Sequence, residues 1–334
     1  MDLRLVTEGK VEEMKKQPEL LVAPQNLAEL NALAEAGADG FVVGSEQFMM
    51  CGRGSFDHVE LVQAVERVHQ LGKKIYLAVD ALLPNRLLAE LEVYLTSIRD
   101  LPFDGIRYAD LGAYMLIKDM LPQASLHFVD QMMLTNYETI NYWLARGVSR
   151  VKMAPELTLD EVLTIKKEIS GKAEVLIHGA VMMFTSRRKL VDNYLTFQKR
   201  MGKGIQLSAG DNHLFDSERQ LYYPIVENEH GTHIFSGHDV CMIDELKDLL
   251  VAGIDVLYIE GFTYQTEQLV KVVQLYKMAI ELARVEPKKY EKVGMALYAE
   301  VEKQQSENRR LDRGFYYKPT IYKNQTRLYG TASK

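Results

Sequence analysis

Cysteine is scarce: Cys51 and Cys241 are the only two in 334 residues. A lone, widely separated pair does not make the disulfide framework of a small secreted protein. No apolar stretch is long enough to cross a bilayer, so no transmembrane helix is expected. The opening MDLRLVTEGKVEEMKKQPE is charged and lacks an apolar h-region, so no signal peptide is expected and the cytoplasm is the expected compartment. Positive charge is not in surplus. The formal net charge is −6, which removes a whole-protein basic field for nucleic acid and leaves only local patches. HExxH, CxxC, GxxxxGK[ST] and a strand-linked GxGxxG are all missing, and with them the common zinc, P-loop and dinucleotide fingerprints. No low-complexity linker divides the chain.

Apolar residues make up 47% of the chain, enough for a sizeable core. They fall in short runs: Leu20–Pro24, Phe41–Gly44, Ile75–Val79, Gly105–Tyr108, Leu126–Val129, Val151–Ala154, Val175–His178 and Val256–Ile259. Such uniformly apolar runs suit a sheet covered on both faces. Between them lie stretches of helical period, among them NLAELNALAEAG, YETINYWLARG and DELKDLLVAG. Gly37, Gly147 and Gly253 close three of these, as glycine does at a helix C-terminus, and the next strand follows at once. Repeated strand–helix units imply parallel strands joined by right-handed crossovers. The pattern predicts a parallel (β/α)8 TIM-like barrel over residues 18–285, with an open doubly wound sheet as the alternative.

The interval from His178 to a helix expected from Asp239 is too long for a plain crossover. It reads as an insertion, 182–238, after strand seven, containing a hairpin of QLYYPIVE and HIFSG and lying over the C-terminal face of the barrel. Residues 286–334 read as a C-terminal extension with a charged helix and a Tyr/Arg-rich tail.

In such a barrel, polar groups just past the strand ends converge on one pocket. Here these are Asp80, Asp110, Asp130, Gln131, Glu156, His178 and Glu260. His178, Glu260 and Glu156 are candidate acid–base groups. Asp110 and Glu156 serve equally well as helix caps. The trio His230, His233 and His238 is a weak metal candidate against solvated loop histidines, and no metal site is expected. Arg187 and Arg188 suit phosphate contacts as well as they suit a solvated charge run. Arg309-Arg310 and Tyr316-Tyr317-Lys318 mix basic and aromatic character, as RNA-binding surfaces do.

Several segments, in order, resemble the peptidase U32 (collagenase-like) family. LLVAPQNLAELNALAEAGADGFVVG is similar to its opening unit, and HFVDQMMLTN to its "StQ…tN" segment. RVKMAPELTLDEV is similar to "RvvLaREls-eEi", and VLIHGAVMMFTSRRKLV to its HGA-led signature. SGHDVCMIDELKDLLVAGIDVLYIEGF resembles "SKDLC…L…aGvdslKIEGR", and LDRGFYY resembles a late "NRGF". The resemblance runs from about residue 20 to 317. Two of the family's signature cysteines are replaced by Met182 and Lys189, and a further pair in the insertion is missing. In cluster-bearing members these four look like iron–sulfur ligands, so no cluster is expected here. Two family arginines are replaced by Pro155 and Phe262.

The resemblance implies a component of tRNA wobble-uridine 5-hydroxylation, with prephenate as co-substrate and a cluster-bearing U32 paralogue as partner. Gln131, Asp130 and Asp239 would bind substrate with Arg187 and Arg188, and tRNA would touch the basic segments. A collagenase-like peptidase and a non-catalytic scaffold subunit are the alternatives. No Ser–His–Asp, Cys–His or zinc constellation is spaced recognisably in support of the first.

Overall fold

The computed structural model describes residues 17–129, 133–202, 213–306 and 309–318. Eight parallel strands close on themselves. They are β1 (Glu19–Val22), β2 (Gly40–Val43), β3 (Lys74–Val79), β4 (Gly105–Tyr108), β5 (Leu126–Phe128), β6 (Val148–Lys152), β7 (Lys172–Ser186) and β11 (Val256–Glu260). β11 pairs with β1 on one side and with β7 on the other, which completes the barrel and removes the open-sheet alternative. All eight sequence-predicted strands are in it.

The crossover helices are α1 (Leu27–Glu35), α2 (His58–Gln70), α3 (Asn85–Ile98), α4 (Leu111–Met120), α5 (Tyr137–Leu144), α6 (Leu159–Glu168) and α8 (Leu246–Val251). α9 (Thr266–Val285) covers the barrel after β11. Local chemistry starts them where the chain leaves each strand. Asn26 and Asn136 cap α1 and α5, and Asp57 and Thr158 form capping boxes on α2 and α6. Asp110 caps α4 through the Gly112 and Ala113 amides, so its strand-end carboxylate is a cap. Glu156 takes no part in capping α6 and is exposed in the preceding turn.

β7 does not stop at the barrel rim. It runs on to Ser186 and is met antiparallel by β10 (Gly231–Cys241), which pairs in turn with β9 (Leu221–Asn228) and through it with β8 (His213–Asp216). The insertion is therefore an outgrowth of a barrel strand, joined by α7 (Leu190–Arg200). The helix expected from Asp239 starts later. Asp239 is still strand, paired with Ala180, because β10 must satisfy the outer edge of β7 before the chain turns into α8. After α9 come α10 (Pro287–Glu302) and β12 (Arg310–Asp312), which adds to β10.

Candidate functional site at the barrel mouth

The strand ends open on a cavity of about 880 Å3, its mouth included. Asp80, Arg107, Lys152, Tyr258 and Glu260 line it from the barrel, and Met50–Arg53 from the loop after β2. Pro155, Met182 and Phe235 complete much of the wall.

Beneath the cavity the barrel is charged. Near the strand N-termini Arg150 bonds Glu19 at 3.0 and 3.1 Å and the Tyr76 hydroxyl at 2.9 Å. One layer higher Arg107 grips Glu174 with two bonds of 2.7 and 2.8 Å, both residues buried. Burial alone would raise the Glu174 pKa, but Arg107, with Lys152 and Arg150, outweighs it and the carboxyl is held below its usual range. Removing one partner of such a pair strands a buried charge, at a cost of about 3–5 kcal/mol.

The top layer is different. The Lys152 ammonium lies 4.3 Å over the Tyr258 ring and makes no hydrogen bond among the described residues. Burial pushes its pKa down, with Arg107 adding to the effect and Glu174, Glu260 and Asp80 opposing it. Glu260 is pushed up by burial against the pull of Lys152, Tyr258 and the Phe262 amide. The Tyr258 hydroxyl donates to Glu260 at 3.0 Å and the Phe262 amide at 3.2 Å.

The cavity roof is tied down. Arg53 makes a bidentate pair with buried Glu29 (3.0 and 2.7 Å) and donates to the carbonyls of Gly261 and Tyr264. That locks the β2 loop to the loop after β11. From the insertion, Asn228 donates to the Met50 carbonyl at 3.0 Å and His230 bonds the Glu46 carbonyl at 3.0 Å. Phe262 stacks on Phe235 at 4.8 Å, an apolar contact where the U32 pattern has an arginine.

Of the sequence-predicted residues, Glu260 and Asp80 line the cavity, and Asp130 and Gln131 lie outside the described residues. His178 does not line it. The imidazole is fully buried behind the barrel wall, bonded to Tyr264 at 2.7 Å through Nε2 and to Tyr276 of α9 at 3.3 Å through Nδ1. Tyr276 already donates to the Ile177 carbonyl, so a neutral ring that donates from Nδ1 and accepts at Nε2 satisfies every partner. Burial pushes His178 down to about 4, with Asp239 opposing. Asp239 is also buried away from the cavity, in an ion pair with Arg309. Glu156 is exposed outside the cavity lining. Arg187 and Arg188 are exposed in the bend after β7, open to a phosphate.

Two of the three histidines are withdrawn from solvent: His230 and His233 are buried, with His233 bonded to Asn228 and Thr185 at 3.0 Å each, while His238 is half-buried. No group of three metal-ligating side chains occurs among the described residues. In the tail, Tyr316 is buried with its hydroxyl on the Leu176 carbonyl, so Tyr316 and the paired Arg309 are structural, while Arg310 and Tyr317 remain exposed. Met182 sits in the cavity wall and Lys189 is exposed. Cys51 lines the cavity, where burial, Glu260 and Asp80 push its thiol up, and Cys241 is buried at Tyr276. Two cysteines so placed do not supply the thiolates of an iron–sulfur cluster.

Arg107, Lys152 and Glu174 escaped the sequence reading. Their signal was a charge inside an otherwise apolar strand, and for Arg150 and Lys152 the spacing of two that puts both on the inner face.

No helix among the described residues is long and apolar enough to cross a membrane. The chain is 36% identical over 309 residues to tRNA hydroxylation protein P2 of Bacillus subtilis, covering 92% of this chain and 100% of that protein. It is 26% identical to tRNA hydroxylation protein P1 of the same organism, over 82% of this chain and 66% of that one. A collagenase of Porphyromonas gingivalis is 25% identical over 79% of this chain and 65% of its own length. The sequence profile of peptidase family U32 matches residues 25–326, and with the closed barrel and its extended seventh strand in view, the chain belongs to that family.

Proposed function

We propose that this chain is a component of tRNA wobble-uridine 5-hydroxylation, working in the cytoplasm beside a cluster-bearing U32 paralogue. The observation that carries the reading is the match to a tRNA hydroxylation protein along that protein's whole length. A two-cysteine chain leaves cluster chemistry to a partner, which is why a paralogue belongs to the proposal. The barrel-mouth cavity, with Lys152 and Glu260, would take the small co-substrate, prephenate by family resemblance. Exposed Arg187 and Arg188 would meet tRNA phosphates. α7 supports a protein partner: none of its residues is buried, and Leu190, Tyr194, Phe197 and Met201 are exposed at helical spacing. A peptidase reading gains nothing from the cavity, which no histidine lines among the described residues and whose cysteine thiol is held protonated. Deleting the gene and quantifying hydroxylated wobble uridine by mass spectrometry tests the proposal. A clear loss is expected; an unchanged level sinks it.

A further inference from the structure

The tRNA reading places Lys152 in the co-substrate pocket but gives it no chemical step. Lys152 ends β6 on the inner face, three residues before Pro155. Its neighbours in the layer below are all committed: Arg107 to Glu174, and Arg150 to Glu19 and Tyr76. Arg107 also reaches the cavity, but of these inward cations Lys152 is the one that faces it without an ion-pair partner among the described residues, with one side of its ammonium on the Tyr258 ring. Tyr258 also holds Glu260, so a single side chain places an amine and a carboxyl at the same end of the cavity.

We propose that Lys152 is a nucleophile that forms an imine with a small ketone or 2-oxo acid bound in the barrel mouth. An amine that is desolvated and close to another cation is the form of lysine suited to this chemistry. Both conditions hold here, and its pKa is lowered for those two reasons. The neutral amine attacks the carbonyl carbon. A C–N bond forms, one nitrogen proton passes to the former carbonyl oxygen, and a carbinolamine results. Glu260, kept protonated more readily by burial, gives its proton to that hydroxyl. The C–O bond breaks, water leaves, and a protonated imine remains opposite the Glu260 carboxylate. No oxidant or reductant is consumed.

The inference rests on the barrel-mouth pocket of the proposed function and adds a chemical step to it, while its test needs neither RNA nor partner and so can fail or succeed independently of the tRNA assay. The purified full chain is incubated with pyruvate, or in a second arm with neutral dihydroxyacetone, and reduced with cyanoborohydride. Intact-mass and peptide mapping then locate the adduct. The expected result is one adduct per chain at Lys152 in at least one arm, trapped faster as the pH rises through neutrality and absent from K152R. The two arms tell whether the ligand's carboxylate matters. Failure to modify residue 152 in both arms, or adducts spread over exposed lysines with K152R unchanged, would overturn the proposal. Mapping of the wild-type chain decides the site even if K152R folds poorly.

Discussion

A single bulge decides the role of His178. Along β7, Glu174 and Leu176 face inward, and strict alternation would send His178 the same way. The pairing with β11 slips between Tyr258 and Ile259, so that Leu176 matches inward Tyr258 but His178 matches Ile259, which is fully buried behind the wall. Gly179 makes the slip feasible. Its φ is +103°, and a Cβ there would sit 1.9 Å from the Glu260 carbonyl oxygen. The HGA signature was legible in the sequence, but the phase change was not, because period-two reasoning has no term for a bulge. His178 thus acts as a neutral strut between β7 and α9. Its pKa, about 4, lies below the unfolded value of about 6.5. The unfolded chain therefore binds the proton first. Stability is complete above about pH 6.5 and declines as the pH falls from there toward about 4, by up to ~1.4 kcal/mol per pH unit for such a group. Urea unfolding from pH 7 to 4.5 should show this decline, with a shallower slope in H178Q. An equal slope in both proteins would contradict the buried neutral imidazole.

Among the elements, the insertion shows what spacing could and could not say. Its hairpin was readable from QLYYPIVE, the turn at Asn228–Gly231 and HIFSG, and β9 and β10 occupy those residues. That β10 would carry on to Cys241 and bury Asp239 was not readable, since the partner Arg309 lies far along the chain. Two bonds tie the insertion to the β2 loop, His230 on the Glu46 carbonyl and Asn228, which donates to Met50 and accepts from the His230 amide and from His233. N228A removes one of these tethers, takes away the Asn228 acceptor that orients His230, and leaves a buried His233 nitrogen unpaired, worth about 1–3 kcal/mol. Hydrogen exchange should rise in 44–57 and 221–241 while the barrel strands stay protected. A uniform rise across the barrel would show that the hairpin is no separate roof.

For the whole molecule, eight apolar runs with glycine-closed helices were enough to anticipate the closed barrel. The charged interior was harder to foresee, because Arg107, Arg150, Lys152 and Glu174 are scattered over three strands and become neighbours only when the sheet closes. Closure turns a parallel sheet into a vessel whose lower layers neutralise one another and whose top layer, Lys152 with Glu260, stays available to a ligand. The proposed role in tRNA hydroxylation therefore belongs to the barrel mouth rather than to His178, which does not line it. The most direct measurement is complementation of a deletion strain that keeps the cluster-bearing paralogue, with hydroxylated wobble uridine read by mass spectrometry. The wild-type chain should restore the modification and E260Q, expressed at the same level, should fall at least about tenfold short, a loss of ~1.4 kcal/mol. Full restoration by E260Q, or no deficit in the deletion strain, would contradict it.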